Sequence, residues 1–190
     1  MKIGMVRTPA ALPTLLLALL FPAPGAAKGP DLSQSALTGL TEVYVMVWDL
    51  DPGVQEDGLD AGSIRGRIVP MLERAGLRIL ETREYAYALH SGSALPPALV
   101  VDVHALRSSD AAYVVNIELE LWESALKLAD PDVGIAQATT WRAPSLLMTI
   151  GRDKISVILE HIQEMVDRFL NEYWTANFPE RLTANAPPVR

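Results

Sequence analysis

Glu118 and Glu120 are the residues whose type and spacing come nearest to chemistry in this sequence. Both lie in Tyr113 to Glu123, and carboxylates two apart on an extended chain project side by side about 6.5 to 7 Å apart. That approaches the ~6.5 to 9.5 Å between acid and base in inverting glycosidases. Direction argues against catalysis: such carboxylates flank a bond from opposite sides, whereas these point the same way. A solvated sheet face is the plainer account of the pair.

Asp102, His104, Asn116, Glu118 and Arg142 can share that face. Asp102 opposite Glu118 is a like-charge pair that costs stability unless a cation sits between. A divalent metal held by Asp102, His104 and Glu118 is one way to supply it; a salt bridge to Arg142, or solvation, is another. His90 and His161 show no ligand spacing such as His-x-x-x-His. Asp49, Asp51, Glu56, Asp57 and Asp60 invite a calcium reading but fail the loop template, which needs glycine at its sixth position and glutamate at its twelfth, where Val54 and Asp60 stand. An acidic turn ahead of a helix N-terminus, favoured by the dipole, is the plainer account of them. Ser91-Gly92-Ser93 beside His90 lacks the Gly-x-Ser-x-Gly elbow, and no phosphate-cradling glycine loop follows a strand. Cysteine is absent, which excludes thiol catalysis, cysteine metal sites, disulfides and a lipidated N-terminal cysteine. No catalytic set assembles, and no enzyme activity or cofactor is expected.

The elements that must position these residues follow from apolar periodicity. Tyr113, Val115, Ile117, Leu119 and Leu121 share one face of a strand, and Val114, Asn116, Glu118, Glu120 and Trp122 the other, an antiparallel half-buried pattern. Ala98 to Leu106 alternates likewise, with Leu99, Val101 and Val103 against Asp102 and His104. For the apolar sides to coincide, paired residue numbers must sum to an even number near 220, setting His104 opposite Asn116 and Asp102 opposite Glu118. Glu42 to Leu50 is apolar on both faces and reads as a central strand ended by Asp51-Pro52-Gly53. Residues 60 to 75 form a helix capped by Asp60, with Ile64, Ile68 and Leu72 on its stripe, Gly76 past its end and Pro70 kinking or shortening it. Leu77 to Tyr87 reads as a strand, and His90 to Pro97 as a loop. Arg107 to Asp110 is a turn, as is the stretch from Asp130 to Gly134. Ile135 to Arg142 is a strand, and Ala143-Pro144 bends the run to Ile150 or places it at an edge. Asp153 caps a long helix to Ala176 with Ile158, Ile162, Met165, Val166, Phe169 and Tyr173 inward.

The order β-α-β-β-β-β-α, with two helices on one face of a mostly antiparallel sheet of about five strands, makes an α+β domain. The first 27 residues read as a signal peptide: Lys2 and Arg7, the apolar Leu15 to Phe21, then Gly25-Ala26-Ala27. Residues 28–37 are a flexible lead-in, 38–178 a single domain, and 179–190 a disordered tail with three prolines. Cleavage removes 2 of 16 basic residues and no carboxylate, leaving 14 against 23, a formal charge of −9. That charge repels nucleic acid and anionic lipid. No later stretch is long and apolar enough to span a bilayer.

The chain resembles a family of uncharacterised exported bacterial proteins. The resemblance is carried by Leu40-Thr41-Glu42-Val43-Tyr44-Val45, Asp49-Leu50, Gly58-Leu59, the Leu72 to Gly76 run, the Ile117 to Leu121 strand, Thr139-Thr140-Trp141, and Phe169-Leu170-Asn171-Glu172-Tyr173. It covers nearly the whole mature chain and implies a fold without implying an activity. The layout is also similar to small α+β modules of cell-envelope assembly proteins, by fold alone. The expectation is a non-enzymatic exported protein, most simply periplasmic, that binds another envelope protein through Asn116, Glu118, Glu120 and Trp122. A small-ligand or divalent-metal-binding protein using the same face is the alternative.

Overall fold

Alternation from Ala112 to Leu119 marks β4 (Ala112–Ala125), the strand on which the sheet is built. In the computed structural model, which describes residues 32–91, 93–125 and 136–179, β4 pairs antiparallel with β3 (Ala98–Ser109). Partners sum to 220 from Ala98↔Trp122 to Arg107↔Tyr113, the register that the two apolar patterns require. The far edge of β4 is shared by two strands: β5 (Ala136–Arg142) pairs with its C-terminal half and β6 (Leu146–Gly151) with its N-terminal half. Pro144 falls in the break between them, where no ladder donor is lost. On the other side, β1 (Glu42–Val47) runs parallel to β3, and the two-residue β2 (Arg78–Ile79) parallel to β1. The fold is α+β, with a mixed, largely antiparallel six-stranded sheet in the order β2-β1-β3-β4-β5 and β6 beside β5 on β4.

The sheet's first face carries Val43, Val45, Leu99, Val101, Tyr113, Ile117, Leu119 and Leu121, all buried under α3 (Ala61–Arg74) and α5 (Ser156–Asn177). Helix α3 begins where expected, because Asp60 accepts from the Ser63 N–H and Ser63 Oγ accepts from the Asp60 N–H. It ends at Gly76, whose φ of +94° suits the left-handed position past a helix. It runs through Pro70 to Arg74; the proline lies on the exposed side, and the residue four before it is Gly66. Helix α5 starts differently from expectation. A 3-10 turn (Arg152–Lys154) precedes it, and its cap is Ile155, with no side-chain cap bond from Asp153.

Two further expectations are corrected. The 28–37 lead-in is helical from Leu32: α1 (Leu32–Leu37) buries Leu37 in the core, and the Leu37 carbonyl accepts from Asn177 Nδ2. The strand read over Leu77 to Tyr87 stops at Ile79, and α4 (Thr82–Ser91) follows it and takes His90 out of the expected loop. Its only buried side chain is Tyr85, so the rest of the fold covers little of it. Helix α4 lies on the second face, where Tyr85 stacks on Tyr44 with ring centroids 4.4 Å apart. A short helix, α2 (Pro52–Glu56), fills the β1–α3 connection. The expected signal peptide, the turn at Asp130 to Gly134 and residues 180–190 of the tail lie outside the described residues. No described helix is long and apolar enough to cross a membrane.

Candidate functional site

The second face of the sheet carries the even positions of β4. Tyr85 of α4 packs on Ala98 and Val100, with Tyr44, Met46 and Trp122 against them, and covers one end of this face. Beyond that end it is open among the described residues: Trp48 is 47% exposed, and Leu106 and Leu147 are both 71% exposed. Between the covered and open parts lies a cavity of about 260 Å³ lined by Trp48, Val100, Asp102, Glu118, Glu120, Trp122 and Arg142.

Glu120 departs from the solvated role expected of it. It is the one buried charged residue among those described, at 7% exposure. The cause is a bulge in β5: Leu121 pairs with Trp141 but Trp122 with Thr139, so Thr140 is the extra residue. The bulge brings both Thr139 and Arg142 against Glu120. Its carboxylate accepts from Trp122 Nε1 at 2.6 Å and Thr139 Oγ1 at 3.0 Å, and pairs with the Arg142 guanidinium. Burial pushes its carboxyl up, but these three donors together outweigh burial and hold it below the usual glutamate range. A carboxylate already satisfied by three donors is a structural anchor rather than a proton carrier. Glu120→Ala leaves the indole N–H and the guanidinium without their acceptor and is expected to cost about 1–3 kcal/mol in a urea unfolding curve. Glu120→Gln, which keeps an acceptor oxygen, is expected to cost less.

Trp122 is half-buried. Its ring meets Trp48 edge to face at 6.1 Å between centroids, and its N–H is held by Glu120, so its orientation is fixed at both ends. Asp102 and Glu118 stand directly opposite each other, as the sequence requires. Among the described residues each has only a same-strand partner two residues away: His104 Nε2 is 2.9 Å from Asp102, and Asn116 Nδ2 donates to Glu118 at 3.0 Å. Arg142, a candidate partner for them, is engaged by Glu120 instead. Among the described residues no Lys or Arg pairs with Asp102 or Glu118, and no three His, Asp or Glu side chains converge in a way that could hold a metal ion.

The acidic run from Asp49 to Asp60 is dispersed into structural roles. Asp51 accepts from the Gly53 N–H at the start of α2, and Asp60 caps α3. Asp57 takes the Tyr113 hydroxyl at 2.6 Å and Arg152 Nε at 2.6 Å. His90 Nδ1 lies 2.6 Å from the Ala86 carbonyl and His161 Nδ1 3.0 Å from Glu164, each within its own helix and away from the open face. The features missed by sequence reasoning are Trp48 as a wall and Arg142 with Thr139 as the clamp on Glu120. The β5 bulge that forms the clamp has no local marker such as glycine.

No family model matches the chain, and no curated protein matches it. Among solved structures the chain is similar to two of PelC from Paraburkholderia phytofirmans, both described as dodecamers. One, a single-site variant in space group C2, shows 18% identity and a TM-score of 0.38 over 67% of this chain and 86% of that one. The other, in space group P6, shows 15% identity and a TM-score of 0.36 over 71% and 87%. A likeness this loose transfers neither assembly nor activity.

Proposed function

We propose that this protein is a non-enzymatic, exported envelope module that binds another protein on the open second face of its sheet. The observation that carries the reading is the exposure of Trp48, which lines an acidic cavity, and of Leu106 and Leu147 further along the same sheet face. Solvated sheet faces ordinarily show polar side chains, and apolar groups gathered on one open face mark interaction surfaces. On this face Glu120 is committed to Trp122, Thr139 and Arg142, and no nucleophile and base are in contact among the described residues. Export follows from the first 27 residues, and intact mass of the mature protein is expected to place its N-terminus at Lys28.

Site-specific photo-cross-linking in cells that make the protein at its native level tests the surface. A cross-linker at position 106 or 147 is expected to give an adduct with one protein species, and a cross-linker at Arg67, exposed on α3 across the molecule, is expected to give none. Absence of any adduct from the open-face positions ends the reading.

A further inference from the structure

We infer that the cavity on the second face receives a guanidinium side chain, an arginine presented by the partner protein. The inference rests on the docking reading above and names the chemistry of its anchor. Asp102 and Glu118 face each other across β3 and β4, and like charges in that position repel. Arg142, the one permanent cation lining the cavity, is bound to Glu120, and the two carboxylates are left with an amide and an imidazole. The site therefore holds two acceptors and an uncompensated negative charge.

Two indoles at 76° to each other line the same cavity as the carboxylates, Trp48 half exposed and Trp122 held by its N–H bond to Glu120. A cation is attracted to an indole face, and a planar one stacks on it while its N–H groups donate to carboxylates at its edge. Guanidinium meets both demands; ammonium, strongly hydrated and without a plane, meets the second alone. Glu120 supports the site without joining it, since its oxygens are taken by Trp122, Thr139 and Arg142. The rim of Leu106 and Leu147, further along the same face, gives a partner chain apolar contact beyond the anchor.

The test uses the purified mature protein, with tryptophan fluorescence at low salt as the readout. N-acetyl-arginine amide is expected to give a saturable change, N-acetyl-citrulline amide none, and N-acetyl-lysine amide at least about tenfold weaker binding, the difference that 1.4 kcal/mol produces. The double variant Asp102→Asn/Glu118→Gln is expected to lose arginine binding by at least about tenfold while its melting temperature stays level or rises, because it removes a repulsion. A structural pair would lower the melting temperature when neutralised. A second arm cross-links the double variant at position 147 in cells: adduct yield is expected to fall.

Equal binding of arginine and citrulline amides, undiminished binding in the double variant, or a saturable response to Ca²⁺ or Zn²⁺ in place of arginine overturns the guanidinium anchor. If the adduct at position 147 persists in full while arginine amide fails to bind, the docking surface stands and the anchor falls. If no adduct forms in the unaltered protein, the docking reading itself falls.

Discussion

Trp141→Ala is expected to lower the unfolding free energy by about 3–5 kcal/mol, the range for removing a large aromatic from a packed core. Trp141 is 2% exposed and sits edge to face on Phe169 of α5, with ring centroids 5.1 Å apart. Its Nε1 donates at 2.6 Å to Glu172, which also accepts from Arg168 at 3.1 Å. One residue thus fastens an edge strand to the long helix through packing and a hydrogen bond together. Urea unfolding monitored by circular dichroism measures the loss as a shift of midpoint at constant slope. Trp174→Ala is the control: that ring is 38% exposed beside α3, and its removal is expected to cost far less. Equal losses from the two substitutions would mean that the core is not where the structure puts it.

Strong acid is expected to loosen the molecule at the Asp57 clasp. The Arg152 guanidinium, then the Tyr113 hydroxyl, hold the Asp57 carboxyl down to about 2, against an ordinary 3.8. A carboxyl whose folded value is depressed contributes stability that is complete above its unfolded value and disappears as pH falls through the folded one. The contribution is therefore present above about pH 4 and mostly gone by about pH 2. Asp57→Asn is expected to melt several degrees below the unaltered protein at pH 7, with a gap that narrows steadily below pH 4. A gap independent of pH would show that the clasp works by shape rather than by charge.

The clasp illustrates what could not be read from the chain alone. Asp57 and Arg152 are 95 residues apart, and the acidic company of Asp57 in sequence suggests calcium more readily than a guanidinium. Glu120 is a similar case. Its place in the alternation is shared with Glu118, yet one carboxylate is buried and the other only half covered, because a bulge in a strand 20 residues downstream aims Thr139 and Arg142 at one of them. Helix α4 was hidden for a third reason. Tyr85 and Tyr87 alternate as a strand would, and the helix start is closed by Glu84, which accepts from the Glu81 N–H at 2.8 Å, without a Ser, Thr, Asp or Asn at the cap to announce it.

By itself the sequence determined the α+β class, the β3–β4 register, the α3 cap and the core stripe of α5. Each of those depends on periodicity or on residues within a few positions of one another, and burial of an apolar face permits one phase only. The tertiary structure alone decided which carboxylate is buried, which indoles flank Asp102 and Glu118, and where α4 stops covering the sheet. Those outcomes depend on side chains that meet across distant strands, and no local pattern encodes the meeting.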